Sequence, residues 1–279
     1  MGTLDGKVAI VTGCGRLKGL GRGIALALAR AGADLAVADI QGSGTRNPFE
    51  TGEAESAAGW KGLDSLVDEL HGLGRRAVAT VGDIGLKEDA ERMVAETVEY
   101  FGAADILVNN AAAPHGADRD WSWKVPEEAW DQIFRVNTKG TFLMSTAMVR
   151  HLLDRQSPGR IINITSIAGR RAAAQRAAYS ASKFAVTGLT QSMALELASY
   201  GITVNAVCAG PMATARSASR TARAEVSKPG EFVAAVETTP VGRTGSPEDI
   251  ARTVVFLAEP GASYITGESI NVSGGDLIF

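Results

Sequence analysis

The chain alternates short, continuously apolar segments with longer segments in which apolar residues recur at helical spacing. Most of the short segments are apolar at every position, which is typical of strands covered on both faces of a sheet. These runs predict strands at Val8–Val11, Leu35–Ala38, Ala77–Val81, Ile106–Asn109, Arg160–Ile164, Thr203–Val207 and Ser269–Val272. The segments between them predict helices at about Gly21–Ala31, Gly62–Leu73, Lys87–Phe101, Pro126–Leu153, Ala178–Tyr200 and Pro247–Leu257.

Strands that alternate with helices predict βαβ units and therefore a parallel sheet. With right-handed crossovers, we predict an α/β fold, a three-layer doubly wound parallel sheet (Rossmann fold), in a single domain spanning residues 1–279. Two irregular stretches interrupt the pattern. Residues 41–61 form a Gly-rich insertion for which the pattern indicates no role. We expect residues 212–246 to form a mobile, partly helical lid over the substrate.

Composition and charge narrow the functional classes. Apolar residues make up 45% of the chain and charged residues 21%, as in ordinary globular proteins. The 28 Lys and Arg nearly balance the 31 Asp and Glu, and no basic run appears, so we expect no nucleic-acid partner. No signal-peptide plan and no apolar run of about 18 residues is present, which predicts a cytoplasmic protein without a membrane partner.

Cysteine and histidine add little chemistry. Two distant cysteines, Cys14 and Cys208, indicate a reducing compartment rather than a disulfide framework. The three histidines are scattered, and none has metal-ligand spacing with another His or Cys. We therefore expect no metal site.

A glycine-rich loop, Thr12–Gly21, follows the first predicted strand and opens the first helix. Glycine permits the tight turn and the close approach of a pyrophosphate, and the helix N-terminus supplies free N–H groups. Asp39 ends the second strand 18 residues after Gly21, where a carboxylate accepts ribose hydroxyls and repels a 2′-phosphate. The pattern favours NAD over NADP. A competing interpretation uses Arg16, Lys18 or Arg46 as phosphate clamps.

A second group of residues predicts proton transfer. Tyr179 and Lys183 lie four residues apart at the start of a helical stretch and so share a face. The ammonium, together with an oxidised nicotinamide, favours the phenolate. Ser166 ends a buried strand at the edge where ligands bind in such sheets, placed to hydrogen-bond a substrate oxygen. Asn137 is a polar residue in an apolar helix, either bonding between helices or holding a water that links Lys183 to solvent.

Together these motifs resemble the classical short-chain dehydrogenases/reductases over essentially the whole chain. The glycine loop, the Asn109-Asn110-Ala111 strand end, Ser166 thirteen residues before Tyr179, the Tyr-x-x-x-Lys pair and a late Gly-Pro segment occur in the family's order. The resemblance implies that Tyr179 is the general acid/base and that Lys183 lowers its pKa and bonds the nicotinamide ribose. It implies that Ser166 orients the substrate oxygen and that Asn137 anchors a relay water.

The resemblance also implies a set of cofactor contacts. The implied residues are Gly13, Gly15, Arg16, Gly19, Leu20, Gly21, Asp39, Asp83, Ile84, Asn110, Ala111, Tyr179, Lys183, Gly210, Pro211, Met212 and Thr214. The chain departs from the family in a longer glycine loop, with five residues from Cys14 to Lys18 before Gly19. Ala112 replaces a usual Gly, and Ala209 replaces a usual Pro. We expect the insertion after Asp39 to cover the adenosine end of the cofactor and slow its exchange.

The resemblance implies hydride transfer between a nicotinamide cofactor and the carbon of a small secondary alcohol or ketone. The alternatives are an NADPH-dependent 3-oxoacyl thioester reductase, which shares every catalytic residue, and a catalytically silent nucleotide-binding regulator. A serine hydrolase fails because Ser166 lacks a Gly-x-Ser-x-Gly setting. The resemblance and the apolar C-terminus predict a homotetramer.

Several residues outside these motifs have two interpretations. Trp121 and Trp123 either contact an apolar substrate or pack at a loop–helix junction. His115 either polarises a substrate group or is solvated. A cluster of three arginines either favours an acidic substrate or consists of surface charges. Its members are Arg170, Arg171 and Arg176.

Overall fold

A seven-stranded parallel sheet forms the centre of the molecule. The structure, a computed structural model, describes residues 2–48, 50, 52–218 and 239–279. The strands are β1 (Val8–Thr12), β2 (Asp34–Asp39), β3 (Ala77–Val81), β4 (Ile106–Asn109), β5 (Gly159–Ser166), β6 (Ile202–Ala209) and β7 (Ser269–Val272). Their spatial order is β3-β2-β1-β4-β5-β6-β7, and each neighbouring pair is parallel. The predicted fold class is confirmed.

Helices cover both faces of this sheet. They are α1 (Leu20–Arg30), α2 (Glu53–Ala57), α3 (Leu63–Gly72), α4 (Lys87–Phe101), α5 (Glu127–Phe134), α6 (Thr141–Asp154), α7 (Ala177–Leu197) and α8 (Pro247–Ala258). One apolar core joins α1, α3 and α8 to one face of the sheet, and a second joins α4 to α7 to the other. In β1, Ala9 and Val11 enter the first core and Ile10 the second. This division explains why the strand is apolar at every position.

The order of the strands positions the site. The chain runs outward from β1 to β3 and then restarts at β4 on the other side of β1. In such sheets the helices leave on opposite faces at this switch point, and a crevice opens at the carboxyl ends of the strands. Thr12, Asn109 and Ser166 are the last residues of β1, β4 and β5, so they lie along this edge.

The long helix expected at 126–153 is not uniform. A π-helical segment, Arg135–Gly140, separates α5 from α6. Thr141 Oγ1 donates to Asn137 O at 2.8 Å within this region. Asn137 within this segment makes the tertiary contacts described below, and periodicity alone reveals neither the wider turn nor these contacts.

The two irregular stretches differ in how far the structure describes them. The insertion at 41–61 contains the short helix α2, which was not predicted, and returns to the sheet where Leu63 N donates to Gly42 O at 2.8 Å. Within the predicted lid, 212–246, residues 219–238 lie outside the described residues. At its base, Met212 pairs with Gly245 in a parallel bridge.

Across the described parts of the chain, no helix combines the length and the apolar character that crossing a bilayer requires. In the same residues, no three His, Cys, Asp or Glu side chains gather as a potential metal site.

Candidate active site

A cleft of about 1490 Å³ opens at the carboxyl ends of the strands. Most residues predicted for the site line it. They are Gly13, Arg16, Gly19, Leu20, Asp39, Asp83, Ile84, Asn110, Ala111, Ser166, Tyr179, Lys183, Gly210, Pro211, Met212 and Thr214. Gly15, Gly21 and Asn137 pack behind the cleft wall. We call the part around Asp39 the nucleotide half of the cleft and the part around Tyr179 the substrate half.

The glycine loop is held by close backbone packing. Gly13 has a φ of 75°, and a Cβ there would lie 2.8 Å from the Ala111 Cα. A Cβ on Gly21 would lie 2.3 Å from the Gly13 oxygen, so α1 could not approach the loop with any larger residue. Asn110 Nδ2 donates to the carbonyl oxygens of Thr12 (2.8 Å) and Gly13 (3.1 Å), which locks the loop onto the end of β4.

The N-terminus of α1 fits an anionic group. Gly19 occupies the N-cap position and offers no side chain to the first-turn N–H groups. Gly19 and Leu20 both line the cleft. Uncapped N–H groups and the positive end of the helix dipole favour a pyrophosphate at this position.

The extra residues of the glycine loop pack against the insertion. Gly15 N donates to Asp39 Oδ2 at 2.8 Å, and Gly15 O accepts from Trp60 Nε1 at 2.8 Å. Arg16 pairs with Glu50 at 2.6 Å and with Glu55 at 2.9 Å. The three side chains are largely buried, at 12%, 6% and 11% exposure. The two departures from the family pattern, a longer loop and a longer insertion, therefore form one structural unit.

The insertion also reaches the far wall of the cleft. Asn47 Oδ1 accepts from His115 N at 2.9 Å, joining the insertion to the segment that follows β4. Thr45, Asn47 and Pro48 line the cleft. The opposite charges of Arg16 and the two insertion glutamates were the available sequence signal for this unit.

Asp39 lies at the end of β2 with backbone donors on both oxygens. Oδ2 accepts from Gly15 N and Oδ1 from Ile40 N, each at 2.8 Å. Burial raises the pKa of the Asp39 carboxyl, and the two hydrogen bonds and the Arg16 charge oppose that rise. Each oxygen keeps a lone pair for a further donor such as a ribose hydroxyl.

Asp83 and Ile84 follow β3 and close the nucleotide half. Asp83 Oδ2 pairs with Arg135 Nη1 at 2.6 Å, and Oδ1 accepts from Gly85 N at 2.8 Å. Ile84 packs so closely on Gly140 that a Cβ there would lie 2.7 Å from the Ile84 Cδ1. The Asp83 carboxylate is thus engaged within the protein, and its neighbouring backbone faces the cleft.

Ser166, Tyr179 and Lys183 come together in the substrate half. Lys183 is 5% exposed, and its Nζ donates to Ile164 O at 3.0 Å and lies 6.0 Å from the centre of the Tyr179 ring. Ser166 Oγ accepts from Ala168 N at 3.1 Å and hydrogen-bonds the Tyr179 hydroxyl. The strand end of β5 and the first turn of α7 therefore present a hydroxyl, a phenol and an ammonium to one space.

Asn137 contacts protein groups on both sides of its amide. Oδ1 accepts from Ala113 N at 2.9 Å, and Nδ2 donates to Ser182 Oγ at 3.0 Å. Ser182 Oγ in turn donates to Tyr179 O at 2.8 Å. The hydrogen bonding between helices that the sequence allowed is thus present, and it ties the π-helical segment to the turn that carries Tyr179.

Sequence reasoning missed two cations beside Tyr179. The Arg119 guanidinium lies 4.4 Å from the centre of the Tyr179 ring and pairs with Asp118 at 3.0 Å. Arg216 Nη2 donates to the carbonyl oxygens of Ala112 (3.2 Å) and Ala113 (2.7 Å). No motif marks either arginine, because each reaches Tyr179 only through the fold.

The charges around Tyr179 favour its phenolate. Burial by itself raises the pKa of the phenol, but the charges of Lys183, Arg216 and Arg119 and the Ser166 hydrogen bond outweigh it, so the pKa is lowered from its ordinary value. Burial lowers the pKa of Lys183, with the Arg216 charge acting in the same direction. Burial also lowers the pKa of Arg119 to about 10, which leaves it charged at neutral pH.

The arginines, tryptophans and histidine for which the sequence allowed two interpretations have different surroundings in the structure. Arg170 Nη1 donates to Ser269 O at 2.7 Å, and Arg171 pairs with Asp276 at 2.9 Å, while Arg176 precedes α7 and lines the cleft. Trp121 and Trp123 stack on each other with ring centres 5.3 Å apart. His115 approaches the Tyr179 ring edge-on, with ring centres 5.5 Å apart.

The chain is similar to known proteins over nearly its full length. Residues 13–276 match a family model described as enoyl-(acyl carrier protein) reductase. A 2-dehydro-3-deoxy-D-gluconate 5-dehydrogenase of Escherichia coli K12 is 35% identical over 98% of this chain and 96% of its own. A 3-oxoacyl-[acyl-carrier-protein] reductase of Synechocystis is 37% identical over the whole of both chains.

Two solved structures are also similar to this chain over nearly its full length. A carveol dehydrogenase from Mycobacterium avium in complex with NAD superposes with a TM-score of 0.85 at 29% identity, covering 99% of each chain. A putative 2-deoxy-D-gluconate 3-dehydrogenase from Agrobacterium tumefaciens with bound NADP has a TM-score of 0.78 at 32% identity, covering 98% of this chain and 96% of its own. These neighbours carry one or the other nicotinamide cofactor.

Proposed function

Because the chain belongs to the classical short-chain dehydrogenase/reductase family and is a nicotinamide-dependent oxidoreductase, we propose that it interconverts a small secondary alcohol and its ketone with NAD as the preferred cofactor. The observation that carries the proposal is the convergence of Ser166, Tyr179 and Lys183 in the substrate half of the cleft. These groups handle the proton of an alcohol or carbonyl oxygen.

The proposed mechanism assigns one task to each side chain. In oxidation the Tyr179 phenolate accepts the proton of the substrate hydroxyl, and in reduction the phenol donates that proton to the carbonyl oxygen. Ser166 Oγ hydrogen-bonds the same oxygen as its charge changes. Lys183 stabilises the phenolate while Ile164 O holds its ammonium in place. A bound nicotinamide cofactor would supply or accept the hydride.

The cofactor residues are also part of the proposal. Gly13, Gly19 and Leu20 bind the pyrophosphate with the N-terminus of α1, and Asp39 accepts the adenosine ribose hydroxyls. The remaining contacts come from the ends of β3, β4 and β6, at Asp83, Ile84, Asn110, Ala111, Gly210, Pro211, Met212 and Thr214. Gly15 and Gly21 shape the loop from behind.

The preference for NAD rests on charge. The Asp39 carboxylate lines the cleft where a 2′-phosphate would lie, and Arg16 is already paired with two glutamates. Lys18 and Arg46 are exposed cations that keep NADP as the alternative. An NADPH-dependent 3-oxoacyl thioester reductase, the activity named for the Synechocystis relative, is the second candidate because it uses the same catalytic residues.

Domain, assembly and location complete the proposal. We take residues 1–279 as one nucleotide-binding domain with a substrate lid at 212–246. The exposed C-terminal side chains Ile278 and Phe279 favour a homotetramer, working in the cytoplasm. Sedimentation of the purified protein as a clean monomer would contradict this assembly.

Coenzyme titration joined to a substrate panel tests the function. NADH and NADPH are each titrated into the protein by nucleotide fluorescence, and turnover is followed at 340 nm across secondary alcohols, ketones and a 3-oxoacyl thioester. We expect tighter NADH binding and turnover of secondary alcohols. Turnover of the thioester alone with NADPH would favour the second candidate. Nucleotide binding without any turnover would favour a silent regulator.

A further inference from the structure

We infer that the substrate half of the cleft contains an anion subsite, formed by Arg119, Arg176 and Arg216, that takes the carboxylate of a hydroxy or oxo acid. The inference rests on the proposed function and names its substrate class. The sequence suggested an acidic substrate only through Arg170, Arg171 and Arg176, but Arg170 bonds to β7 and Arg171 is already paired with Asp276 at the cleft rim. The arginines that carry the inference are largely different ones.

Positive charge exceeds negative charge around Tyr179 among the described residues. Lys183, Arg119, Arg176 and Arg216 are the cations, and each lines the cleft. The nearby carboxylates are Asp118, which is ion-paired with Arg119, and Asp120 at the cleft wall. A Tyr179 phenolate compensates only one further cation, and a protonated Tyr179 compensates none.

Adjusting the acidity of Tyr179 does not require this many cations. Lys183 alone places an ammonium beside the ring, as the sequence already indicated. Bringing Arg119, Arg176 and Arg216 together costs free energy, because Arg176 and Arg216 both disfavour the charged form of the buried Arg119. An anion bound between them offsets that cost, and the planar guanidinium fork matches a carboxylate better than it matches a neutral group.

Two arginines keep donors for such a ligand. Arg216 uses only Nη2 for the carbonyls of Ala112 and Ala113, so Nε and Nη1 have no protein acceptor within the described part of the chain. Arg176 makes no ion pair within the same residues and is the N-cap residue of α7, three positions before Tyr179. The carbonyl contacts fix the direction of Arg216, so the ligand meets a pre-positioned group.

The position of Arg119 sets the shape of the substrate. Its guanidinium lies 4.4 Å from the centre of the ring whose hydroxyl exchanges the substrate proton. Arg119 is itself engaged by Asp118 and His115, so the donors to the ligand come from Arg176 and Arg216, and a carboxylate held by them next to Arg119 is only a few bonds from the reacting carbon. The geometry therefore points to short hydroxy and oxo acids rather than to chains with a distant charge.

Matched acid–amide pairs test the subsite. The substrates are 2-hydroxybutyrate, 3-hydroxybutyrate and 4-hydroxypentanoate, each compared with its neutral primary amide on the pH plateau of the reaction. We expect kcat/KM for at least one acid to exceed that of its amide about tenfold. Arg216→Gln and Arg176→Gln should each remove most of that preference by raising KM for the acid. Because the Arg216 charge also lowers the pKa of Tyr179, each variant is measured on its own pH plateau, where turnover of the amide should change by no more than about threefold.

Arg171→Gln is the control. This variant also loses one positive charge at the cleft rim, but Arg171 is already paired with Asp276, so the variant should keep the preference for the acid. Arg176 is half-exposed at the start of α7, so the Arg176 variant keeps the test valid if the Arg216 variant fails to fold. Butyrate, which has no hydroxyl to oxidise, should inhibit amide turnover competitively, and butyramide should not. Loss of this inhibition in Arg216→Gln gives a binding readout separate from turnover of the acid.

Several results would overturn the inference without touching the proposed function. One is equal use of acid and amide by the parent protein. Another is an equal fall of kcat/KM for the acid and for the amide in the arginine variants. That result would mean that the cations act only on Tyr179 or on the cofactor. Absence of turnover with every alcohol and ketone, by contrast, would overturn the proposed function itself.

Discussion

The two halves of the cleft differ in how their arginine charges are compensated. In the nucleotide half, Arg16 is enclosed by Glu50 and Glu55, so the protein itself compensates the charge. In the substrate half, Arg176 and Arg216 have no carboxylate partner among the described residues. Both side chains are half-buried, so they stay open to the cleft, where a bound anion would supply the opposite charge. The first arrangement joins the insertion to the glycine loop, and the second is the basis of the proposed anion subsite.

The halves also differ in which atoms face the ligand. The nucleotide half presents backbone, at Gly13, Gly19 and the N-terminus of α1, apart from the Asp39 carboxylate. The substrate half presents side chains, at Ser166, Tyr179 and Lys183. Substitutions on the substrate side should therefore change chemistry, and those on the nucleotide side should change stability or affinity.

Tyr179→Phe should give the largest effect. Without the phenol there is no group to exchange the substrate proton, and we expect turnover to fall about 10³-fold. NADH affinity should stay within about twofold, as measured by nucleotide fluorescence. Tyr200→Phe, at an exposed position after α7, is the control and should match the parent protein. Unchanged turnover in Tyr179→Phe would contradict the role assigned to the phenol.

Arg16→Gln should give the next largest effect, on stability. The substitution leaves Glu50 and Glu55 buried without their cation, which we expect to lower the free energy of unfolding by about 3 kcal/mol. Denaturant unfolding measures this loss. Adding Glu50→Gln and Glu55→Gln should restore most of it.

The control for Arg16 is a more exposed ion pair on the same side of the sheet. Arg22 pairs with Glu69 at 2.7 Å with both side chains about a third exposed or less, so Arg22→Gln should cost under about 1 kcal/mol. An equal fall in the free energy of unfolding for Arg16→Gln and Arg22→Gln would mean that the insertion does not depend on Arg16. The two halves of the cleft would then not differ in the way described above.

Asp39→Ala should weaken NADH binding about tenfold, because hydrogen bonds from ribose hydroxyls to a carboxylate are lost. NADPH binding should change little, so the gap between the two cofactors narrows. Asp34→Ala, at the opposite end of β2, is the control and should leave both affinities alone. Better binding of NADPH than NADH by the parent protein would overturn the assignment of NAD.

The smallest effect should appear in the pH profile. Alcohol oxidation needs the Tyr179 phenolate, so kcat/KM rises with pH through the pKa of Tyr179, which lies below its ordinary value of 10.0. Arg119→Gln removes a positive charge that lowers this pKa, so the rising limb should move to higher pH. With a neutral amide substrate, kcat/KM of Arg119→Gln at pH 7 should be only several-fold below that of the parent protein. A limb that moves to lower pH would contradict the sign of the electrostatic argument.

Much of the fold could be predicted from local pattern. Seven strands were found at nearly their observed positions because a strand buried on both faces must be apolar throughout. The glycine loop was recognisable because its conformation demands glycine, as the positive φ of Gly13 shows. The Tyr179–Lys183 spacing was recognisable because residues four apart on a helix share a face.

Other features depended on contacts between distant parts of the chain. The π-helical segment contains Asn137, which hydrogen-bonds Ala113 and Ser182, and periodicity reveals neither the segment nor these bonds. Arg216 reaches the substrate half by binding the carbonyl of a residue 103 positions earlier.

The sequence alone thus determined the parallel sheet, the glycine loop and the phenol–ammonium pair, because each follows from steric and spacing rules that act within a few residues. Only the tertiary structure decided that the insertion closes on the glycine loop and that Arg119 and Arg216 lie beside Tyr179. Those arrangements depend on which charges meet across the cleft, and charge acts through space rather than along the chain.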